Sequence, residues 1–231
     1  MNIRGIHRTS LIDYPGRISS VIFTGGCNLR CGYCHNPELA CNSCELERYS
    51  NEETLGMLEK RRGLIDGITI SGGEPTIAKN ITTFISSLKG MDLAVKLDTN
   101  GLNPGVVRGL VRDRLVDYVA IDIKTAPEKY EFVTGIKVDF DRIAETVDVV
   151  RDAGIEYELR TTCIPYYVTL EDFKSIRLAV GHVKRYFLQQ FVNDVTLDSS
   201  LGSMRPYTPG VLQGFKKYVD TFADLCEIRG V

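Results

Sequence analysis

The stretch that decides the fold is Thr24-Gly-Gly-Cys-Asn-Leu-Arg-Cys-Gly-Tyr-Cys-His35, which directly follows a β-strand predicted at residues 19–23. It contains three cysteines in the spacing C-x3-C-x2-C, namely Cys27, Cys31 and Cys34. Three thiolates this close can bind three irons of a four-iron cubane and leave the fourth iron without a protein ligand. Glycines ahead of the cysteines and between them let the backbone turn sharply beside a bulky inorganic core. The stretch therefore predicts an iron–sulfur site at the end of a strand.

A second pair of cysteines, Cys41 and Cys44, offers an alternative interpretation. Together with Cys31 and Cys34 they could form a four-cysteine zinc site. Zinc-binding pairs of this kind are usually separated by about fifteen to twenty residues, which is far more than the separation here. A zinc site would also leave Cys27 without a role, so the spacing favours an iron–sulfur cluster.

Length and composition indicate one soluble α/β domain, because 231 residues with 43% hydrophobic and 25% charged residues are enough for a sizeable core. A formal net charge of −2 gives no reason to expect nucleic acid or an anionic membrane as a partner. No secretory signal precedes the first strand, and no apolar run approaches the roughly 18 residues of a membrane span. Seven locally clustered cysteines favour metal binding in a reducing compartment, so we expect a cytoplasmic protein.

Predicted strands and helices alternate along the chain. Strands are predicted at 19–23, 67–70, 93–97, 118–121, 156–161 and 186–190, with a short closing strand at 225–228. Helices are predicted at 50–62, 77–89, 104–112, 140–152, 170–180 and 211–222. Alternation of this kind requires a parallel sheet with right-handed crossovers. Six units predict a single domain with a curved, incompletely closed (β/α)6 barrel at 18–190, after an irregular lead-in at 1–17 with a turn at Tyr14-Pro15-Gly16, and before a C-terminal extension at 191–231.

Unusual residues follow most of these strands. They are the cysteine loop, Ser71-Gly-Gly-Glu-Pro75, Asp98-Thr-Asn-Gly101, Asp122-Ile-Lys124 and the pair Gln189 and Gln190. Parallel α/β sheets bind ligands at the carboxyl ends of their strands, which meet at one edge. Five motifs at one edge predict a catalytic site.

The cysteine motif resembles that of the radical S-adenosylmethionine (SAM) superfamily, C-x3-C-x-aromatic-C, with Tyr33 in the aromatic position. The resemblance implies a [4Fe-4S] cluster whose open iron chelates the amino and carboxylate groups of SAM. The Gly72-Gly73-Glu74 segment is similar to the one that accepts a hydrogen bond from the SAM ammonium in this family. The resemblance also places Tyr33 beside the adenine, although an aromatic residue here could equally belong to the core. A simple strand-to-helix turn would explain the glycines equally well.

Two further segments resemble those of activating enzymes for glycyl radical enzymes. The resemblance implies a monovalent cation beside the SAM carboxylate, with Asp98, Thr99, Asp122 and the carbonyl of Ala120 as ligands. Oxygen ligands suit such a hard cation. The alternative is that Asp98 and Asp122 only cap the loops that follow them.

Three more residues are assigned by the same resemblance. Lys124 is expected to form a salt bridge or to contact the carboxylate of the ligand. Arg160 resembles a basic residue directed at SAM, and its alternative is an arginine paired with a structural carboxylate. Gln190 falls where relatives place a polar contact to adenine.

The segments Thr9-Ser-Leu-Ile-Asp-Tyr-Pro-Gly16 and His35-Asn-Pro-Glu-Leu39 are similar to those of activating proteins of anaerobic (class III) ribonucleoside-triphosphate reductase. The resemblance implies reductive cleavage of SAM to a 5′-deoxyadenosyl radical, which takes hydrogen from a glycine of the partner enzyme. It also implies a flavodoxin- or ferredoxin-type electron donor. Cys41 and Cys44 lie outside the motif and are expected to be spare thiols; the alternatives are a redox pair or half of a second metal site.

Three other functions stay open at this point. One is activation of another glycyl radical enzyme, such as pyruvate formate-lyase. Another is a radical SAM enzyme that acts on a small molecule, similar to a deazaguanine synthase, which need not share the Asp98 and Asp122 segments. The last is a non-catalytic zinc or iron–sulfur module.

Overall fold

Eight strands form one sheet in the computed structural model, which describes residues 1–230. The strands are β1 (Ile3–Ser10), β2 (Ser19–Thr24), β3 (Gly67–Gly72), β4 (Ala94–Thr99), β5 (Tyr118–Asp122), β6 (Glu156–Cys163), β7 (Val183–Gln190) and β8 (Ala223–Arg229). They lie in sequence order across the sheet. β1 is antiparallel to β2, and all other neighbours are parallel. The predicted α/β class with an open, curved, mainly parallel sheet is confirmed.

The segment 1–17 is not the irregular lead-in that the sequence predicted, because it contains β1. Register shifts interrupt the pairing of β1 with β2 between Ile3 and Gly5 and between His7 and Ser10. Such bulges break the alternation of buried and exposed residues by which a strand is recognised in a sequence. The predicted turn after β1 is confirmed: the Arg17 amide donates to the Tyr14 carbonyl at 3.1 Å, and Gly16 has a φ of +73°.

Helices connect successive parallel strands. They are α1 (Pro37–Ala40), α2 (Asn51–Glu59), α3 (Ile81–Lys89), α4 (Pro104–Arg112), α5 (Tyr130–Thr134), α6 (Asp141–Asp152), α7 (Leu170–Val180) and α8 (Pro209–Val219). The capping box that predicted α2 is present, since the Ser50 side chain and Glu53 exchange hydrogen bonds with each other's backbone amides. The sequence did not predict α1 and α5, which are too short to show a helical repeat.

The two faces of the sheet differ in chemistry. On one face, aliphatic side chains of the central strands are fully buried against the helices; examples are Ile68, Ile70, Val95, Leu97, Val119, Ile121 and Leu159. Residues that alternate with them point to the inner face, and many of these are polar or charged, such as Lys96, Asp98, Glu158 and Arg160. The apolar core thus holds the helices in place, while the inner face of the curved sheet is left for charged groups. Within residues 1–230, no helix combines the length and apolar character needed to cross a membrane.

Candidate active site

A cavity of about 320 Å³ opens at the carboxyl ends of the parallel strands. Its walls carry the three motif cysteines, Cys27, Cys31 and Cys34, together with residues from the other predicted segments. Cys41 and Cys44 are exposed and do not line it. The four-cysteine zinc site that the sequence left open is therefore not assembled in this arrangement.

Backbone contacts between two glycine pairs hold the cysteine loop against β3. The Gly73 amide donates to the Thr24 carbonyl at 2.8 Å, and the Glu74 amide donates to the Gly26 carbonyl at 2.8 Å. A Cβ on Gly73 would overlap the Gly26 carbonyl oxygen, and Gly72 has a φ of +118° that strongly favours glycine. The glycines of the Gly-Gly-Glu segment are thus needed for the approach of two loops, whatever ligand they face.

Arg4 on β1 organises the chain that follows the cysteines. This buried guanidinium donates to the Asn42 side chain at 3.1 Å, to the Leu46 carbonyl at 3.0 Å and to the Ser43 carbonyl at 2.7 Å. On the other side of the cysteine loop, the Asp198 amide donates to the Gly32 carbonyl at 2.7 Å. The antiparallel strand therefore holds the segment that follows the cysteines, and the C-terminal extension holds the cysteine loop itself.

The donor set fits an iron–sulfur cluster. Burial raises the pKa of Cys27 and raises that of Cys31 to about 11, so neither thiol ionises readily without a metal. Iron favours the thiolate form of a coordinating cysteine, and soft thiolates are the usual ligands of such clusters. The Leu29 amide already donates to the Cys27 sulfur at 3.4 Å. In residues 1–230 no three His, Cys, Asp or Glu side chains converge on one ion position, but a cubane holds its irons at separate corners.

Glu74 lines the cavity, as expected, and its carboxylate is also bound by the protein itself. It is 1% exposed, and its carboxylate accepts hydrogen bonds from the Thr99 hydroxyl at 2.7 Å and the Asn100 amide at 2.7 Å. The amide and hydroxyl of Thr76 also donate to it, at 3.1 and 2.5 Å. Burial raises the pKa of Glu74 although these donors favour the charged form. Glu74 thus ties the ends of β3 and β4 together, and its oxygens are already engaged by the protein.

The Asp98 and Asp122 segments come together on the inner face, as predicted. Arg160 lies between them, with its Nε 2.8 Å from Asp122 and its Nη1 3.3 Å from Asp98. Lys124 Nζ donates to Asp122 at 2.9 Å, and Lys96 Nζ donates to Asp98 at 2.5 Å. Burial alone would raise the pKa of both aspartates, but the neighbouring cations outweigh it and lower both. Both carboxylates are therefore charged and paired with the protein's own cations.

This arrangement does not fit the predicted monovalent cation site. Thr99 lines the cavity together with Asp98 and Asp122, but its hydroxyl donates to Glu74 at 2.7 Å. Ala120 is fully buried in the middle of β5, in register with Asp98. The aspartate oxygens that should face the ion face lysine and arginine nitrogens, so of the two interpretations of Arg160 the pairing with carboxylates is the one observed.

Of the two adjacent glutamines, Gln189 lines the cavity and Gln190 does not. The amide of Gln190 donates to the Tyr207 carbonyl at 2.7 Å, which turns it away from the site. The prediction of an adenine contact at Gln190 thus chose the wrong side of β7. Tyr33 does line the cavity; its ring is 4% exposed, and its hydroxyl is buried without a hydrogen-bond partner in the described chain.

Sequence reasoning missed three charged residues of the inner face: Lys96, Glu158 and Arg229. Glu158 is 1% exposed, accepts from the Tyr118 hydroxyl at 2.7 Å and pairs with Arg229 at 3.3 Å. Lys96 and Glu158 each stand two residues before a predicted site residue on the same strand. Because side chains two apart share a face, this spacing was an available signal for both.

Comparisons with known proteins agree with this site. The family model described as Radical SAM superfamily matches residues 21–179. One relative is a Methanocaldococcus jannaschii protein that carries the name of a glycyl-radical enzyme activating enzyme. It is 31% identical, and the match covers 99% of this chain and 96% of that protein. The pyruvate formate-lyase-activating enzyme of Clostridium pasteurianum is 32% identical over 79% of this chain and 76% of its own length.

Solved structures show the same fold at low sequence identity. Streptococcus suis SuiB bound to S-adenosylmethionine has a TM-score of 0.67 and 16% identity, covering 89% of this chain and 48% of that chain. This chain therefore spans about half the length of that enzyme, and the likeness concerns the fold alone. The cysteine loop, the cavity and the family match lead to one conclusion: this chain is an enzyme of the radical SAM superfamily, which uses a [4Fe-4S] cluster and SAM.

Proposed function

We propose that this chain activates a glycyl radical enzyme, and that its partner is anaerobic ribonucleoside-triphosphate reductase. The observation that carries the proposal is the 31% identity to a protein named as an activating enzyme, over 99% of this chain and 96% of that protein. The reductase is chosen as partner because the Thr9–Gly16 and His35–Leu39 segments resemble those of its activating proteins.

The residues of the cavity have separate tasks in this function. Cys27, Cys31 and Cys34 would hold the cluster, which supplies one electron for cleavage of SAM and formation of a 5′-deoxyadenosyl radical. Lys124 provides positive charge at the cavity wall, and its side chain is 19% exposed. A carboxylate such as that of the methionine part of SAM would be stabilised there. Burial of Tyr33 keeps water from this wall, which protects a reactive radical.

An exposed apolar pair beside the cavity supports a protein partner. Leu11 and Ile12 are 74% and 86% exposed, and the next residue, Asp13, lines the cavity. Adjacent exposed aliphatic residues favour a contact surface for another protein. A flavodoxin- or ferredoxin-type protein is the electron donor that we expect, and the seven free cysteines fit a reducing, cytoplasmic compartment.

The test is to mix the anaerobically reconstituted chain with SAM, a reductant and the reductase, and to record electron paramagnetic resonance spectra. The expected result is the doublet of a glycyl radical, which is lost with Cys27→Ala. Leu11→Asp should lower the radical yield per SAM cleaved. The matched control is Leu178→Asp on α7, which replaces a leucine that is at least as exposed (88%) and does not line the cavity, and it should leave that yield unchanged.

Pyruvate formate-lyase is the second candidate partner, favoured by the 32% identity to the Clostridium pasteurianum enzyme. It is tested in a parallel sample under the same conditions. A doublet with the lyase and none with the reductase would replace the proposed partner. SAM cleavage without a doublet in either sample would contradict the activating function and favour a small-molecule substrate.

A further inference from the structure

The two aspartates of the inner face have no carboxylate oxygen without a cationic partner. Asp98 Oδ1 is 2.5 Å from Lys96 Nζ, and Asp98 Oδ2 is 3.3 Å from Arg160 Nη1. Asp122 Oδ1 is 2.8 Å from Arg160 Nε, and Asp122 Oδ2 is 2.9 Å from Lys124 Nζ. A metal ion between the two carboxylates would have to displace at least one of these nitrogens.

Lys96 is the cation whose position demands an explanation. Its side chain is 2% exposed, although lysine is almost never fully buried unless it is paired. It extends along the inner face of β4 from two residues before Asp98, with its Nζ 5.8 Å from the centre of the Tyr118 ring. A buried ammonium that is close to both a carboxylate and an aromatic ring is held by charge pairing and by a cation–π contact.

The charge balance of the contact network around the two aspartates disfavours a further cation. Asp98 and Asp122 are in direct contact with three cationic side chains. The neighbouring ion pair of Glu158 and Arg229 adds one negative and one positive charge. The network already has one positive charge more than negative ones. A metal ion would double this excess in a region where unpaired charge is costly. The existing excess instead suits an anionic ligand beside Lys124.

We propose that the ammonium group of Lys96 is a built-in replacement for the monovalent cation, so that this enzyme binds SAM without a metal ion next to the two aspartates. An ammonium carries the same single charge as a potassium ion and pairs with Asp98, one of the two aspartates of the predicted site, but it is fixed to β4. The inference rests on superfamily membership and not on the identity of the partner enzyme.

The experiment measures SAM binding to the reconstituted holoenzyme by equilibrium dialysis, in potassium chloride and in choline chloride of equal ionic strength. Choline is too large to enter a carboxylate pair. The wild-type dissociation constant should be the same in both salts. In Lys96→Met, the apolar stem is kept and the charge is lost, so SAM affinity should fall by about tenfold or more in choline and recover with added potassium or ammonium.

Lys89→Met is the matched control, because Lys89 pairs with Asp117 at 2.9 Å on the outer surface and is outside the cavity. It should bind SAM like the wild type in both salts. Wild-type enzyme that binds SAM about tenfold more weakly in choline than in potassium would overturn the proposal. This comparison uses the wild type alone and does not depend on the folding of a variant. A Lys96→Met protein that binds like the wild type in choline, or is equally weak in every salt, would overturn it too.

Discussion

Replacing Glu74 by glutamine tests the role that the structure gives this carboxylate. Three hydrogen bonds reach Oε1, from the amide and hydroxyl of Thr76 and the hydroxyl of Thr99. One reaches Oε2, from the amide of Asn100 at 2.7 Å. A glutamine can place its oxygen at the first position only by placing its NH2 group against the Asn100 amide. That amide then loses its acceptor in a buried site.

The magnitude follows from these bonds. A buried donor without an acceptor costs about 1–3 kcal/mol, and the three bonds that remain lose the strength that a charged acceptor gives them. The neutral amide is easier to bury, which offsets part of the loss, because burial already raises the pKa of Glu74. We expect the free energy of unfolding to fall by about 2–4 kcal/mol, which is large for an isosteric change.

The assay is urea denaturation of the apoprotein under reducing conditions, followed by circular dichroism. The control is Glu145→Gln, which removes an exposed ion pair with Arg108 and should cost less than about 1 kcal/mol. If Glu74→Gln is no more destabilising than this control, Glu74 does not tie β3 to β4. The carboxylate would then be free to meet a ligand, as the sequence alone suggested.

Two further predictions concern the glycine contact and the aspartates. Gly73→Ala should lower the iron bound after anaerobic reconstitution to less than about half of the wild-type amount, because its Cβ would overlap the Gly26 carbonyl. The control is Gly56→Ala, in open space on α2, which should bind iron like the wild type. Equal amounts of iron in the two variants would contradict the close approach of Gly73 to Gly26. Neighbouring cations lower the pKa of Asp122 despite its burial, so its contribution to stability is present above about pH 4 and is lost as the pH falls further towards the folded pKa. Urea denaturation should therefore show Asp122→Asn to be less stable than the wild type at about pH 7, with a difference that narrows by about pH 3; a difference that grows in acid would contradict this.

The sequence was sufficient to predict the parallel strands and the cavity motifs, for physical reasons. Strands with one face in the apolar core alternate aliphatic and polar residues, and cysteines at fixed spacing have few structural uses. The chain also had to place these motifs at one edge, since parallel strands share the direction of their carboxyl ends. The strand β1 could not be predicted in the same way, because its bulges remove the repeat.

The partners of each site residue were harder to predict. The hydrogen bonds by which Glu74 ties β3 to β4 depend on four donors that come from two different strand ends. The choice between Gln189 and Gln190 needed the phase of β7: Tyr186 and Leu188 are buried in the hydrophobic core, so Gln190 follows them to the same face. From the sequence alone, Lys96 resembles an ordinary surface lysine. Its burial becomes apparent only when Lys96 and Asp98 are known to share the inner face of β4.

The central claim is that three cysteines hold the cluster and leave one iron for SAM. It is tested most directly by electron–nuclear double resonance on the reduced, reconstituted enzyme with SAM labelled with ¹⁵N at its amino group. The account predicts hyperfine coupling between the cluster and this nitrogen, unchanged in a Cys41→Ala, Cys44→Ala double variant. Absence of the coupling, or its appearance only after Cys41 is removed, would show that a protein side chain occupies the fourth iron and would contradict the account.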